Sequence, residues 1–192
     1  MKRLLLILTL SPIAHAGLLG SWILNQKNFT GQKLNPAGEA QEVPEFDTDG
    51  NLVFSSKQHV LLPEESAKKL PLQNFAIEAR VRIDQAQKWG SILSYSQDNG
   101  SYERGWILGY NGSRFSFRLS TGDRLLEVAA PESFEPGEWN HLFATYDGKK
   151  MGLYLNGRLV SSRIVTGPIV LPDIPTPFVI GAYKDNDEFF PI

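Results

Sequence analysis

The 192-residue sequence contains no cysteine, and that absence removes several classes of chemistry at once. There is no thiol nucleophile, no thiolate metal ligand, no N-terminal thiol for lipid attachment and no disulfide framework. Any stable fold must rest on its hydrophobic core. Positive charge is also unconcentrated: 19 Lys and Arg against 21 Asp and Glu leave a formal charge of −2, and basic residues occur at most as pairs such as Lys68-Lys69 and Lys149-Lys150. The electrostatic footprint of a nucleic-acid binder is missing. No apolar run approaches the roughly 20 residues that span a bilayer. Three histidines are too few and too scattered for a metal constellation, since His15, His59 and His141 lie in separate segments. Neither a G-x-S-x-G elbow nor a phosphate-cradling glycine loop is present.

What is there begins with residues 1–16, which read as an export signal. Lys2 and Arg3 form a basic start, residues 4–10 an apolar stretch, and Ala14-His15-Ala16 an A-x-A cleavage site before Gly17. A mature chain from residue 17 to residue 192 is within the range of one domain. Its location is then secreted, periplasmic or at the cell surface. The sequons at Asn28, Asn99 and Asn111 matter only in a glycosylating host.

Alternation dominates the remainder. Phe75, Ile77, Ala79, Val81 and Ile83 are apolar while Glu78, Arg80 and Arg82 between them are charged, the period-two signature of a half-buried strand. Residues 91–95, 106–110, 115–119 and 125–129 continue the pattern as a meander, and Asn111-Gly112 predicts a type I′ reversal. A second meander runs through residues 139–146, 151–155 and 158–162, with Asp147-Gly148 and Asn156-Gly157 at its turns and Trp139 expected to anchor in the core. Residues 18–24, 51–62 and 178–182 supply further strands, Pro168 to Pro177 suits an exposed connector, and residues 64–70 hold one short turn of helix. Many short strands with turns every 8 to 12 residues predict an all-β sandwich or barrel.

Pro136-Gly137-Glu138-Trp139-Asn140-His141-Leu142-Phe143-Ala144-Thr145-Tyr146-Asp147-Gly148, followed by Leu153-Tyr154-Leu155-Asn156-Gly157-Arg158, resembles the signature of laminin-G-like, concanavalin A-like jelly-roll domains. Residues 75–81, 90–94 and 178–182 fall in the order that family would place them. The resemblance implies a two-sheet antiparallel sandwich over residues 17–192. It also implies a last strand of the G-x-I-D-E-V-R-I-Y kind beside the N-terminal strand, which the sequence to Ile192 does not supply. The expectation is therefore a C-terminally incomplete domain, the front of a larger secreted hydrolase, with an uncovered sheet edge.

The expected function is that of a non-catalytic binding or accessory module recognising carbohydrate or an extracellular protein. A glucanase-like hydrolase on the same fold is the alternative, and a spacer without ligand a third reading. The E-x-D-x-x-E strand motif of such glucanases is absent, so no catalytic residue is assigned. Tyr102, flanked by Ser101 and Glu103 in a polar stretch, is the expected sugar-binding aromatic. Calcium, which the resemblance brings into view, would draw on Asp185 and Asp187, with Asp47 and Asp49 as a second acidic loop.

Overall fold

A computed structural model describes residues 7–11, 20–54 and 57–192. The basic start and the cleavage site of the expected leader lie outside the described residues. The strands in chain order are β1 (Ile7–Ser11), β2 (Gly20–Ile23), β3 (Phe29–Thr30), β4 (Lys33–Leu34), β5 (Glu39–Ala40), β6 (Glu45–Phe46), β7 (Leu52–Val53) and β8 (Val60–Leu62). A five-residue helix, α1 (Glu64–Lys68), precedes β9 (Phe75–Arg82), β10 (Trp89–Asn99), β11 (Tyr102–Asn111), β12 (Arg114–Ser120) and β13 (Leu125–Ala129). Then follow β14 (Trp139–Tyr146), β15 (Lys150–Leu155), β16 (Arg158–Ile164), β17 (Phe178–Ile180), β18 (Ala182–Lys184) and β19 (Phe189–Pro191).

Two antiparallel sheets carry the fold. One has the order β16-β15-β14-β9-β1-β2, the other β13-β12-β11-β10-β17-β8-β5-β4-β3. Alternation decides which side chains lie between them. In β14, Asn140, Leu142, Ala144 and Tyr146 are buried while Trp139, His141, Phe143 and Thr145 are half-buried on the other face. Phe75 of β9 meets Trp106 and Phe117 of the opposite sheet, with ring centroids 6.1 and 6.2 Å apart. Phe178 is the second hub, packed edge-on against Trp22, Tyr95 and Trp106 at 5.9, 6.3 and 5.7 Å. Such edge-to-face pairs add to the area each ring removes from water. This is the jelly-roll sandwich that the alternation and the resemblance predicted.

Two local expectations are corrected. Trp139 does not anchor in the core: strand parity turns it outward, between the Arg80 and Arg82 guanidinium groups, each 5.3 Å from its ring. The Asn111-Gly112 reversal shifts by one residue, because Asn111 pairs with Arg114 and the loop is Gly112-Ser113 with positive φ at Gly112 alone. That is the II′ pattern, which asks for glycine only at its first central position. Asn156-Gly157 behaves as expected, both residues at positive φ (50° and 82°) between the paired Leu155 and Arg158.

Residues 185–192, expected as a loop and an aromatic tail, return on themselves. β19 pairs with β18, Tyr183 stacks on Phe190 with centroids 6.1 Å apart, and Ile192 is buried. This hairpin lies against β10, and the Ser94 hydroxyl fastens it by donating to the Ala182 carbonyl at 3.1 Å.

Candidate functional site

The outward face of the nine-stranded sheet is unusual in what it places side by side. Strand register aligns Ser91, Gly109, Ser116 and Ala129 in one row across β10 to β13, and Ser94, Ile107, Arg118 and Glu127 in the next. Small residues make the first row low. A Cβ on Gly109 would stand 2.2 Å from the Gly90 carbonyl oxygen, so only glycine lets these strands approach as they do. The β18–β19 hairpin rises beside the rows, and between them lies a cavity of about 350 Å³ lined by Trp89, Ser91, Asp98, Ile107, Arg118, Tyr183, Glu188 and Phe190.

Its polar atoms are incompletely matched. Ser91 Oγ and Arg118 Nε of its lining, and Ser116 Oγ and Glu127 Oε1 in the same rows outside it, are buried with no hydrogen-bond partner among the described residues. Arg118 Nε and Glu127 Oε1 stand 4.0 Å apart, beyond hydrogen-bond reach, and the Arg118 guanidinium lies over the Trp89 ring at 5.3 Å. Buried polar groups left unpaired each cost on the order of 1–3 kcal/mol, so folded chains retain few of them without a use. Aromatic walls, hydroxyls and a positioned guanidinium are the surface that an oxygen-rich ligand completes.

Two carboxyls face this space. Burial pushes the Asp98 carboxyl above the usual carboxylate range, helped by the nearby charges of Glu103 and Asp185 and opposed by Arg118. Glu188 is pushed upward as well, by desolvation and then by Asp185, Asp187 and Asp98. Both shifts have the same direction.

The residues singled out from sequence are not among those that line the cavity, and they hold other roles. Asp185 is buried and caps the hairpin turn: Oδ1 accepts from the backbone N–H groups of Asp187 and Glu188 at 3.1 and 2.7 Å, and Oδ2 from the Tyr183 hydroxyl. Burial, and then that hydrogen bond, push the Tyr183 phenol well above its ordinary value. Asp187 is exposed. Calcium needs six to eight oxygens, whereas Asp185 already spends both of its own on N–H and O–H donors; among the described residues no three His, Asp or Glu side chains gather around a metal-sized point. The donor set does not fit the ion. Asp47, in the other acidic loop, accepts from the N–H groups of Asp49 and Asn51 as a turn former.

Tyr102 sits at the β10–β11 tip, register partner of Asn99, whose amide donates to Asn186 at 2.6 Å. Its hydroxyl donates to Asp173 and accepts from the Asp173 N–H at 3.1 Å, and Arg104 covers one ring face at 5.3 Å. The ring is therefore clamped between loops, with only its remaining face open to a ligand. Trp89, Arg118, Asp98 and Glu188 were not singled out as one site, because they come from three distant stretches of chain. The one local hint was Trp89 among polar neighbours before an alternating run.

Residues 54–191 match the family described as the concanavalin A-like lectin/glucanases superfamily. The chain belongs to that superfamily. Within it, the domain is 33% identical over 107 residues to Pappalysin-1 of Mus musculus, and 33% over 108 residues to Pappalysin-1 of Homo sapiens. Each alignment takes in 49% of this chain but 7% of the relative, so the chain spans a small part of the curated relatives it matches. Among solved structures, domain 4 of AbnA, an extracellular arabinanase from Geobacillus stearothermophilus in complex with arabinotriose, superimposes with a TM-score of 0.53 at 12% identity. That likeness covers 98% of this chain and 89% of the other, and establishes the shared fold. Among the described residues no helix is long and apolar enough to cross a membrane.

Proposed function

We propose that this superfamily member is an exported, non-catalytic recognition module whose ligand is a carbohydrate, held in the cavity between the outward face of β10 to β12 and the β18–β19 hairpin. One observation carries the reading: Ser91 Oγ and Arg118 Nε line a cavity walled by Trp89, Tyr183 and Phe190 and are buried with no hydrogen-bond partner among the described residues. A sugar supplies hydroxyls for those atoms and an apolar ring face for the aromatic walls. The leader of residues 1–16 and the extracellular arabinanase that shares the fold support action outside the cytoplasm.

A hydrolase reading has a specific observation behind it, since Asp98 and Glu188 both line the cavity. Glycoside hydrolysis requires one carboxyl held protonated and its partner held ionised, that is, environments that push the two apart. Here both are pushed upward, a pattern that assigns neither of them as acid or nucleophile, and the E-x-D-x-x-E strand motif is absent from the sequence.

The test is a screen of neutral and acidic oligosaccharides, arabinotriose among them, against the full chain by calorimetry, with release of reducing ends measured in parallel. Saturable binding weakened about tenfold or more in Trp89→Ala, without turnover, is the expected result. Turnover abolished by Asp98→Asn establishes the hydrolase instead, and a flat screen sinks both.

A further inference from the structure

The cavity beside the β18–β19 hairpin carries an uneven charge. Two of its lining side chains are carboxyls, Asp98 and Glu188, and one is a guanidinium, Arg118. Arg118 lies over the Trp89 ring at 5.3 Å and faces Glu127 at 4.0 Å, so part of its charge is already answered. The neighbouring cation Arg104 is engaged outside the cavity lining, with the Asp123 carboxylate at 3.0 Å and the Gly122 carbonyl at 2.6 Å. Asp98 and Glu188 have no such partner: among the described residues no cation pairs with either carboxyl and no N–H or O–H donates to it.

Register and turn geometry put these two groups where they are. Asp98 stands opposite Glu103 across β10 and β11. Glu103 turns to the Leu125 N–H at 2.6 Å, which leaves Asp98 to the cavity. Glu188 arrives from the hairpin, its own N–H held by Asp185 at 2.7 Å. Desolvation, and then neighbouring carboxylates, hold both acids above their ordinary range, and a bound cation removes the second of those causes. A further feature points to a ligand rather than to a solvated acidic surface. Ser91 is 1% exposed, lines the same cavity, and its hydroxyl has no partner among the described residues. Trp89, Tyr183 and Phe190 add aromatic rings, whose faces attract an ammonium group.

We infer that the ligand of this cavity is an amino sugar with a free ammonium group, the ammonium received by Asp98 and Glu188 and the sugar oxygens by Ser91 and Arg118. The inference rests on the carbohydrate reading and narrows it to one class. A neutral sugar of the same shape leaves both carboxylates without a counter-charge, and N-acetylation of the amine has the same effect. A uronic acid brings a third carboxylate toward two others and binds more weakly still. At about 350 Å³ the cavity is at the small end of ligand pockets, so it recognises one or two sugar units rather than a long chain.

The experiment is calorimetry on the full chain near neutral pH and at low salt, with the β-1,4-linked disaccharides of glucosamine, N-acetylglucosamine and glucose and with a glucuronic acid disaccharide. The glucosamine disaccharide is expected to bind about tenfold or more tightly than the glucose one, with the N-acetylated sugar beside glucose. Asp98→Asn combined with Glu188→Gln is expected to abolish the preference, and Glu188→Gln alone, at an exposed position that the fold tolerates, to lose part of it. Glu132→Gln combined with Glu135→Gln, exposed and outside the cavity lining, is expected to keep it. Equal binding of glucose and glucosamine, a preference that survives in the first pair or vanishes equally in the second, or tighter binding of the uronic acid overturns the amino-sugar assignment and leaves the carbohydrate reading standing. If none of these disaccharides binds while another saccharide does, the assignment again falls alone. If no saccharide binds, the carbohydrate reading falls and takes the assignment with it.

Discussion

The two sheets share a core and differ in what their outer faces leave undone. On the six-stranded sheet the outward groups are mutually satisfied: His141 Nε2 and Glu78 Oε1 are 2.6 Å apart, Trp139 lies between two guanidinium groups, and Phe143 meets Tyr154 edge-on at 5.7 Å. On the nine-stranded sheet Ser91 Oγ and Arg118 Nε are buried at the cavity beside the hairpin with no hydrogen-bond partner among the described residues. The first face is stable as it stands. The second is the face to which the proposed function assigns the ligand.

The largest effect tests what the two faces have in common. Phe178→Ala empties the junction of Trp22, Tyr95 and Trp106, and should cost about 3–5 kcal/mol in denaturant unfolding, disabling both faces together. A loss below about 1 kcal/mol would show that the core is not shared in this way.

The comparison itself is sharpened by matched arginine substitutions. Arg118→Met should weaken saccharide binding about tenfold or more while Arg80→Met leaves it unchanged, because only the first removes an unpartnered donor from the cavity. Equal effects in calorimetry would erase the distinction between the faces.

Smaller still is the electrostatic contrast within the cavity. The folded chain holds the Asp98 proton more tightly than the unfolded chain does, so its contribution is most favourable at low pH and is lost as pH rises from the ordinary carboxylate range through the raised folded value. Asp98→Asn should accordingly raise Tm at pH 7 and change little near pH 3. The opposite ordering would place the charge in solvent.

His59 makes the same kind of link at the hairpin. Burial pushes its imidazole below the ordinary value, with Lys184 adding to the shift, while the Lys57 carbonyl and Glu42 oppose it. Its ring rests on Phe189 at 5.0 Å and its Nε2 has no partner among the described residues. The group is favoured neutral in the fold, so stability is present above its ordinary value near 6.5 and falls as pH drops through that value toward the lowered one. His59→Gln should flatten that slope in Tm against pH, with a modest change at pH 8. The smallest effect is expected of calcium, for which ion and chelator should give the same unfolding curve; a clear rise in Tm with calcium would reinstate Asp185 and Asp187 as ligands.

Legibility followed the range of the interactions. β9, β12, β14 and the Asn156-Gly157 turn were readable because period two and the positive-φ preference are local properties. Trp139 was misplaced because a large aromatic suggests burial, whereas parity with Leu142, Ala144 and Tyr146 fixes its face. The reversal at Gly112-Ser113 moved because the pairing of Tyr110 with Phe115 set the register and the turn complied. Asp185 was read as a loop carboxylate, and its turn-capping role depends on a hairpin whose closing partner is Phe189–Pro191.

By itself the sequence determined the longer strands and their inward faces, since alternation and turn preference act between residues a few positions apart, while the two-sheet sandwich came from the family resemblance. Only the tertiary structure decided that Ser91, Arg118, Asp98 and Glu188 share one cavity, and that β1 stands between β2 and β9. Those arrangements follow from cross-strand register and from packing between segments far apart in the chain, where no local pattern carries the information.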